Sequence, residues 1–178
     1  EMRLVRLNLN LAPVLDVKPA GPLSLMSRRA FGTEPGQVAR CGKEVVFRIQ
    51  KEGVMATAKH FPGLGRADLD PHHELPVIAA SRETLATFDL VPFRAAIEAE
   101  VSCIMTSPVL YPALDPDLPG TFSPIILRSL LRDQLGFAGV VITDDLEMGA
   151  VSGRYEIEWA AAAAVRGGDF PEGAVPAG

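Results

Sequence analysis

Apolar positions along the chain gather into four short runs, separated by stretches in which they recur at helical spacing. Leu7, Leu9 and Leu11 alternate with polar residues before the chain becomes almost continuously apolar, which predicts a strand ending near Ala12 with Asp16 in the loop beyond it. Val54-Met55-Ala56-Thr57-Ala58 lies between a helix stop at Gly53 and a loop rich in glycine and proline. It reads as a buried parallel strand that delivers Lys59 and His60 at its C-terminal end. Val101 to Thr106 and Val140 to Thr143 repeat the pattern and run into Ser107 and Asp144.

The intervening segments carry helix signals. Val38, Cys41, Val45, Val46 and Ile49 follow helical spacing, with Thr33 or Glu34 as cap, Pro35 at the first helical position and Gly53 after the end. Ser81 is a good N-cap with Glu83 in the first turn, and the helix it starts is expected to break near Pro92. Ser123-Pro124 opens a third helix, whose stripe of Ile126, Leu127, Leu130, Leu131 and Leu135 runs up to Phe137.

Strand and helix therefore alternate, which calls for a parallel sheet with right-handed crossovers. Asp16, Lys59, His60, Ser107 and Asp144 sit at or beyond the C-terminal ends of successive strands, a distribution that favours a barrel over an open sheet. The expected fold is α/β, a (β/α)8 TIM-barrel type that is incomplete in this chain, with about four to five βα units. A fifth strand is expected to begin within Ala160 to Gly168. Residues 1–178 are read as a single partial barrel domain, with 168–178 an irregular tail rich in glycine, proline and alanine. Open barrel edges would expose apolar surface and unpaired backbone, and so invite self-association.

Composition narrows the partners. At 48% hydrophobic and 22% charged the 178 residues suit a globular core, and the formal charge of −5 without any Lys/Arg run argues against a nucleic-acid or anionic-membrane surface. No apolar segment approaches the ~18 residues needed to span a bilayer. Cys41 and Cys103 lie far apart in apolar stretches and read as small buried hydrophobes, without zinc spacing. The chain opens at Glu1 directly into an apolar run, so any original start, signal peptide or lipid anchor is expected to lie out of view.

Chemistry is concentrated between Lys59 and Pro76. This stretch holds all three histidines, with Asp68, Asp70, Glu74, Lys59 and Arg66, among glycines and prolines that rule out a regular helix. In Asp70-Pro71-His72 a turn could bring the carboxylate onto the imidazole N–H and raise its basicity, the arrangement of general acid–base catalysis. A solvated loop with a surface histidine is the alternative. Asp144 follows an apolar strand and would project into the barrel mouth, where a carboxylate must be paired, hydrated or functional. Its alternative is a helix N-cap for Leu146 onward. Metal-dependent hydrolysis through His60, His72, His73 and Asp144 is disfavoured, because these residues lack helical or sequential ligand spacing.

Four motifs together carry a resemblance. Asn8-Leu-Asn-Leu-Ala-Pro-Val-Leu-Asp16-Val, Lys59-His60-Phe61-Pro62-Gly63, Asp70-x-His72 followed by Leu75-Pro76, and Ile142-Thr-Asp144-Asp-Leu-Glu-Met148 occur in the order found in family-3 glycoside hydrolases. Over about residues 5 to 150 the chain is most similar to the bacterial β-N-acetylhexosaminidase branch. The resemblance implies Asp144 as nucleophile, His72 as acid/base and Asp70 as the aspartate that assists it. It implies Lys59, His60 and Arg29, the last in Arg29-Ala30-Phe31-Gly32, as residues that bind the sugar. No metal or organic cofactor is implied, and the implied partner is a carbohydrate substrate. Departures from the family pattern are Leu64 where histidine is usual, Pro71 where serine is usual, and Ser107-Pro108 in place of a strand-end pair that often contains histidine.

The activity implied is retaining hydrolysis of terminal β-linked N-acetylglucosamine from cell-wall muropeptide or chitin fragments. A β-glucosidase of the same family is a second reading, against which the Asp70-x-His72 loop weighs. A truncated, non-catalytic sugar-binding remnant is the reading from a different class.

Overall fold

The computed structural model describes residues 2–21 and 25–166. Its centre is a parallel four-stranded sheet in the order β1-β2-β3-β4, with β1 Leu9–Asn10, β2 Met55–Phe61, β3 Cys103–Thr106 and β4 Val140–Ile142. Register runs Leu9 to Met55, Thr57 to Cys103 and Cys103 to Val140. With helices in every crossover, the fold is a partial β/α barrel of the TIM type. Among the described residues no helix is long and apolar enough to cross a membrane.

Helix α1, Pro35–Lys51, buries Val38, Ala39, Gly42 and Val46 on one face, and Gly53 after its end takes φ +72°, a conformation that favours glycine. After β2, Ser81 caps the short helix α2, Arg82–Thr84, by accepting from the Thr84 N–H at 3.0 Å. A π-wound turn at Leu85–Asp89 follows, and then α3, Val91–Glu98. The break falls at Leu90, whose N–H reaches back to the Leu85 carbonyl, and Pro92 sits in the first turn of α3 instead of ending a helix. The helix Ile125–Gln134 is also π-wound, with Ser123 Oγ accepting from the Ile126 N–H at 3.1 Å. Helices α4, Gly149–Ser152, and α5, Ile157–Arg166, complete the described chain.

The core lies between the sheet and its helices. Phe61 meets Phe93 edge to face with ring centroids 5.3 Å apart, among Leu15, Met26, Leu85, Ile104, Ile126 and Leu131, all fully buried. Phe122, Tyr155 and Trp159 form a second aromatic cluster beside Ala160 and Ala163.

One sequence expectation needs correction. The segment expected to open a fifth strand is helical through Arg166, because the five alanines at 160–164 favour helix and put Ala160 and Ala163 on one buried face. The expected irregular tail at 168–178 lies outside the described residues. The first strand, β1, ends at Asn10, near the expected Ala12, and Asp16 lies beyond it as expected. Beyond Asn10 the chain keeps pairing with β2: Ala12 and Pro13 carbonyls accept from Thr57 and Lys59, and the Leu15 N–H donates to the Lys59 carbonyl. Pro13 has no N–H to give, so the ladder is interrupted in form while the strand path continues.

Candidate active site

Strand β2 extends through Lys59 and His60, so both side chains project from a strand instead of from the loop after it. The chain beyond β1, hydrogen-bonded to Lys59 through Pro13 and Leu15, lays Asp16 beside them. Asp16 is fully buried, and its carboxylate is the acceptor around which this corner is built. Oδ2 takes the His60 Nδ1 proton at 2.7 Å, while Oδ1 accepts from the backbone N–H groups of Leu64 at 2.6 Å and His60 at 3.3 Å. A carboxylate can only accept, so Nδ1 is the protonated nitrogen, and Nε2 is turned toward the remaining polar groups.

Those groups are Arg29 and Asp144. Arg29 Nη2 lies 3.4 Å from His60 Nε2, and Asp144 Oδ2 lies 3.8 Å from the same atom. Lys59 is half-buried in the same field. Burial and the neighbouring Arg29 guanidinium lower its pKa from the ordinary lysine value, while Asp144 and Asp16 act the other way. The structure thus brings Arg29, Lys59, His60 and Asp144 together.

Asp144 is partly exposed, and its Oδ1 accepts from the Asp145 N–H at 3.0 Å. It does not cap a helix. α4 begins five residues later at Gly149, preceded by Met148, and Asp145 is occupied by the Glu147 N–H at 2.8 Å.

His72 and Asp70 form a separate pair. Asp70 Oδ1 accepts from His72 Nδ1 at 2.7 Å and from the His72 backbone N–H at 3.0 Å, and these two bonds hold its carboxyl below the usual aspartate range. The imidazole is 59% exposed, so Nε2 is accessible to a group arriving from solvent. Among the described residues no three His, Cys, Asp or Glu side chains converge so as to hold a metal ion.

Beneath the loop, Tyr111 donates its buried hydroxyl to the Gly63 carbonyl at 3.0 Å, and Gly65 lies so close to the Val17 carbonyl that a Cβ would fall 2.0 Å from it. Arg66 grips both Asp89 oxygens, at 2.9 and 3.1 Å, while lying over the Phe88 ring. Burial pushes the Asp89 carboxyl up to about 6 despite the opposing guanidinium. Because the folded-state value is the raised one, Asp89 contributes stability that is complete below about pH 4 and is lost as pH rises through about 6. The stability of the natural chain relative to Asp89→Asn should therefore fall by on the order of 2 to 3 kcal/mol between pH 4 and pH 7. Urea midpoints of the two proteins across that range measure it; a difference independent of pH would contradict it.

A cavity of about 660 Å³ lies beside β4, lined by Thr106, Thr121, Leu127, Arg132, Ile142 and Thr143 among others. Arg29, Lys59, His60 and His72 do not line it, so it is separate from the polar cluster at the strand ends.

Asp16, which the sequence places just beyond a strand, joins the cluster through His60. Its signal was there, since an aspartate ending an apolar strand path must find partners once buried.

The glycosyl hydrolase family 3 N-terminal domain model matches residues 1–169. A β-hexosaminidase of Thiobacillus denitrificans is 39% identical over 148 residues, covering 83% of this chain and 41% of the relative. Among solved structures, a β-N-acetylglucosaminidase from Paenibacillus sp. str. FPU-7 superposes with a TM-score of 0.89 at 44% identity, over 94% of this chain and 32% of that one. The β-N-acetylhexosaminidase from Beutenbergia cavernae superposes at 0.85 with 33% identity, over 93% and 51% respectively. The chain spans about two fifths of the length of the curated relative quoted.

Proposed function

The chain belongs to glycosyl hydrolase family 3, and on that premise we propose that it is the catalytic part of a retaining glycosidase acting on terminal β-linked N-acetylglucosamine. The observation that carries this reading is the Asp70–His72 pair, an exposed imidazole with one nitrogen held by a carboxylate at 2.7 Å. That is the form a histidine acid/base requires, because the held nitrogen sets the tautomer and leaves Nε2 to exchange the proton. Fragments of chitin or of cell-wall muropeptides are the substrates this reading assigns. The single continuous sheet supports treating the described residues as one unit.

In the first step Asp144 attacks the anomeric carbon. As the C–O bond to the aglycone breaks, the His72 imidazolium gives its Nε2 proton to the leaving oxygen, and a glycosyl ester on Asp144 remains. In the second step water attacks the same carbon, neutral His72 takes a water proton, and the Asp144 carboxylate is released. Asp70 stays ionised throughout and stabilises the imidazolium, as its lowered pKa favours. Lys59 and Arg29 lie around Asp144 as donors for sugar hydroxyls, while His60, oriented by Asp16, presents Nε2 as an acceptor.

The test is hydrolysis of 4-nitrophenyl N-acetyl-β-D-glucosaminide by the purified, folded chain, beside the corresponding β-glucoside. Turnover of the first with little of the second is expected. The reverse preference would favour a β-glucosidase, and turnover of neither would favour a sugar-binding remnant.

A further inference from the structure

The segment that carries Asp144 also carries the loop that holds His72. Gly149 and Ala150 open α4, and their N–H groups donate to the carbonyls of His72 and Pro71, each at 3.0 Å. Pro71 and Ala150 are buried at this contact, while His72, His73 and Glu74 remain exposed. The loop is thus held by its backbone and presents its imidazole to solvent.

Gly149 has no room for a side chain. A Cβ there would fall 2.5 Å from the His73 carbonyl oxygen and 2.8 Å from that of His72, and these are backbone atoms that cannot rotate aside. Its φ lies outside the left-handed region, so glycine is required here for space and not for conformation. From Asp70 to Glu74 the loop is a compact turn: His73 and Glu74 both donate to the Asp70 carbonyl, and the Asp70 side chain takes both His72 N–H groups. Displacing the His72 carbonyl therefore moves the whole imidazole–carboxylate pair.

We propose that Gly149 is a positioning residue for the acid/base pair. Its missing side chain, with the N–H groups at 149 and 150, sets the height of His72 over the sugar relative to Asp144, five residues upstream. These two hydrogen bonds tie the acid/base loop to the segment that carries Asp144. This rests on the glycosidase reading above.

The test compares the natural chain with Gly149→Ala on two substrates. Nitrophenolate leaves without a proton, whereas the sugar alkoxide expelled from N,N′-diacetylchitobiose needs one. In the variant kcat/KM for the disaccharide should fall by about 100-fold or more, and that for the nitrophenyl substrate by under about tenfold. Equal losses on both substrates, as loss of folded protein would produce, overturn the positioning role and leave the glycosidase reading standing. No turnover of either substrate by the natural chain overturns the glycosidase reading, and the positioning role with it. Backbone hydrogen exchange on the natural chain decides independently of any variant: the amides of Gly149 and Ala150 should exchange at least about tenfold more slowly than those of exposed loop residues. Exchange at the exposed-loop rate overturns the proposal.

Discussion

Asp144→Asn lowers kcat on an aryl N-acetyl-β-glucosaminide by on the order of 10⁴-fold or more, with little change in folding. The expectation follows from where the carboxylate sits. It emerges from β4 partly exposed, is not used as a helix cap, accepts from its neighbour's N–H and lies 3.8 Å from His60 Nε2. Asparagine keeps the size and can still accept from the Asp145 N–H, so the structural loss is small. It cannot form the glycosyl ester, and the amide also removes the negative charge that faces Lys59, Arg29 and His60. Initial rates with matched urea unfolding curves check both halves. A variant retaining more than about a tenth of the activity would remove Asp144 from the chemistry.

Asp16→Ala produces the largest loss of stability, about 3 to 5 kcal/mol, together with loss of turnover. The alanine variant abandons two backbone N–H groups and one imidazole N–H in a site with no solvent to replace the acceptor. Asp16→Asn separates the two effects. Its side-chain oxygen can still accept from Leu64 and His60 N–H, so stability should fall by only about 1 to 2 kcal/mol. Its amide N–H, however, faces Nδ1 and forces the other tautomer, placing a proton on Nε2 toward the Arg29 guanidinium. Turnover should therefore fall nearly as far in Asn as in Ala while the urea midpoints differ. Parallel losses of stability and activity in the two variants would make Asp16 a packing residue only.

Much of this arrangement could be read from residue order. The caps at Ser81 and Ser123 and the glycine stop at Gly53 are local signals, set by hydrogen bonding within a few residues, and the four strands show as short apolar runs; each is found in the structure. The pairing of Asp70 with His72 is also local, and the turn that allows it follows from the Gly/Pro loop. What could not be read depends on distant chain. Nothing around Asp16 says that His60 and Leu64, more than forty residues away, will supply its donors. The contact between Gly149 and the His72 carbonyl joins two loops whose approach is fixed only by the sheet between them. The winding of Leu85–Asp89 and Ile125–Gln134 escaped because the apolar positions, such as Ile126, Leu127, Leu130 and Leu131, also fit an α-helical stripe. The alanine run at 160–164 was misread for a related reason, since a continuous apolar stretch does not distinguish strand from buried helix.

The central claim is that Asp144 bonds covalently to the sugar. A 5-fluoro N-acetylglucosaminyl fluoride tests it directly, because the ring fluorine slows both steps while the good leaving group lets the first proceed. After incubation, digestion and mass measurement, one equivalent of fluorosugar is expected on the peptide containing Asp144, absent from Asp144→Asn. A folded chain that takes no label, or takes it on Asp70, Asp145 or another carboxylate, would contradict it.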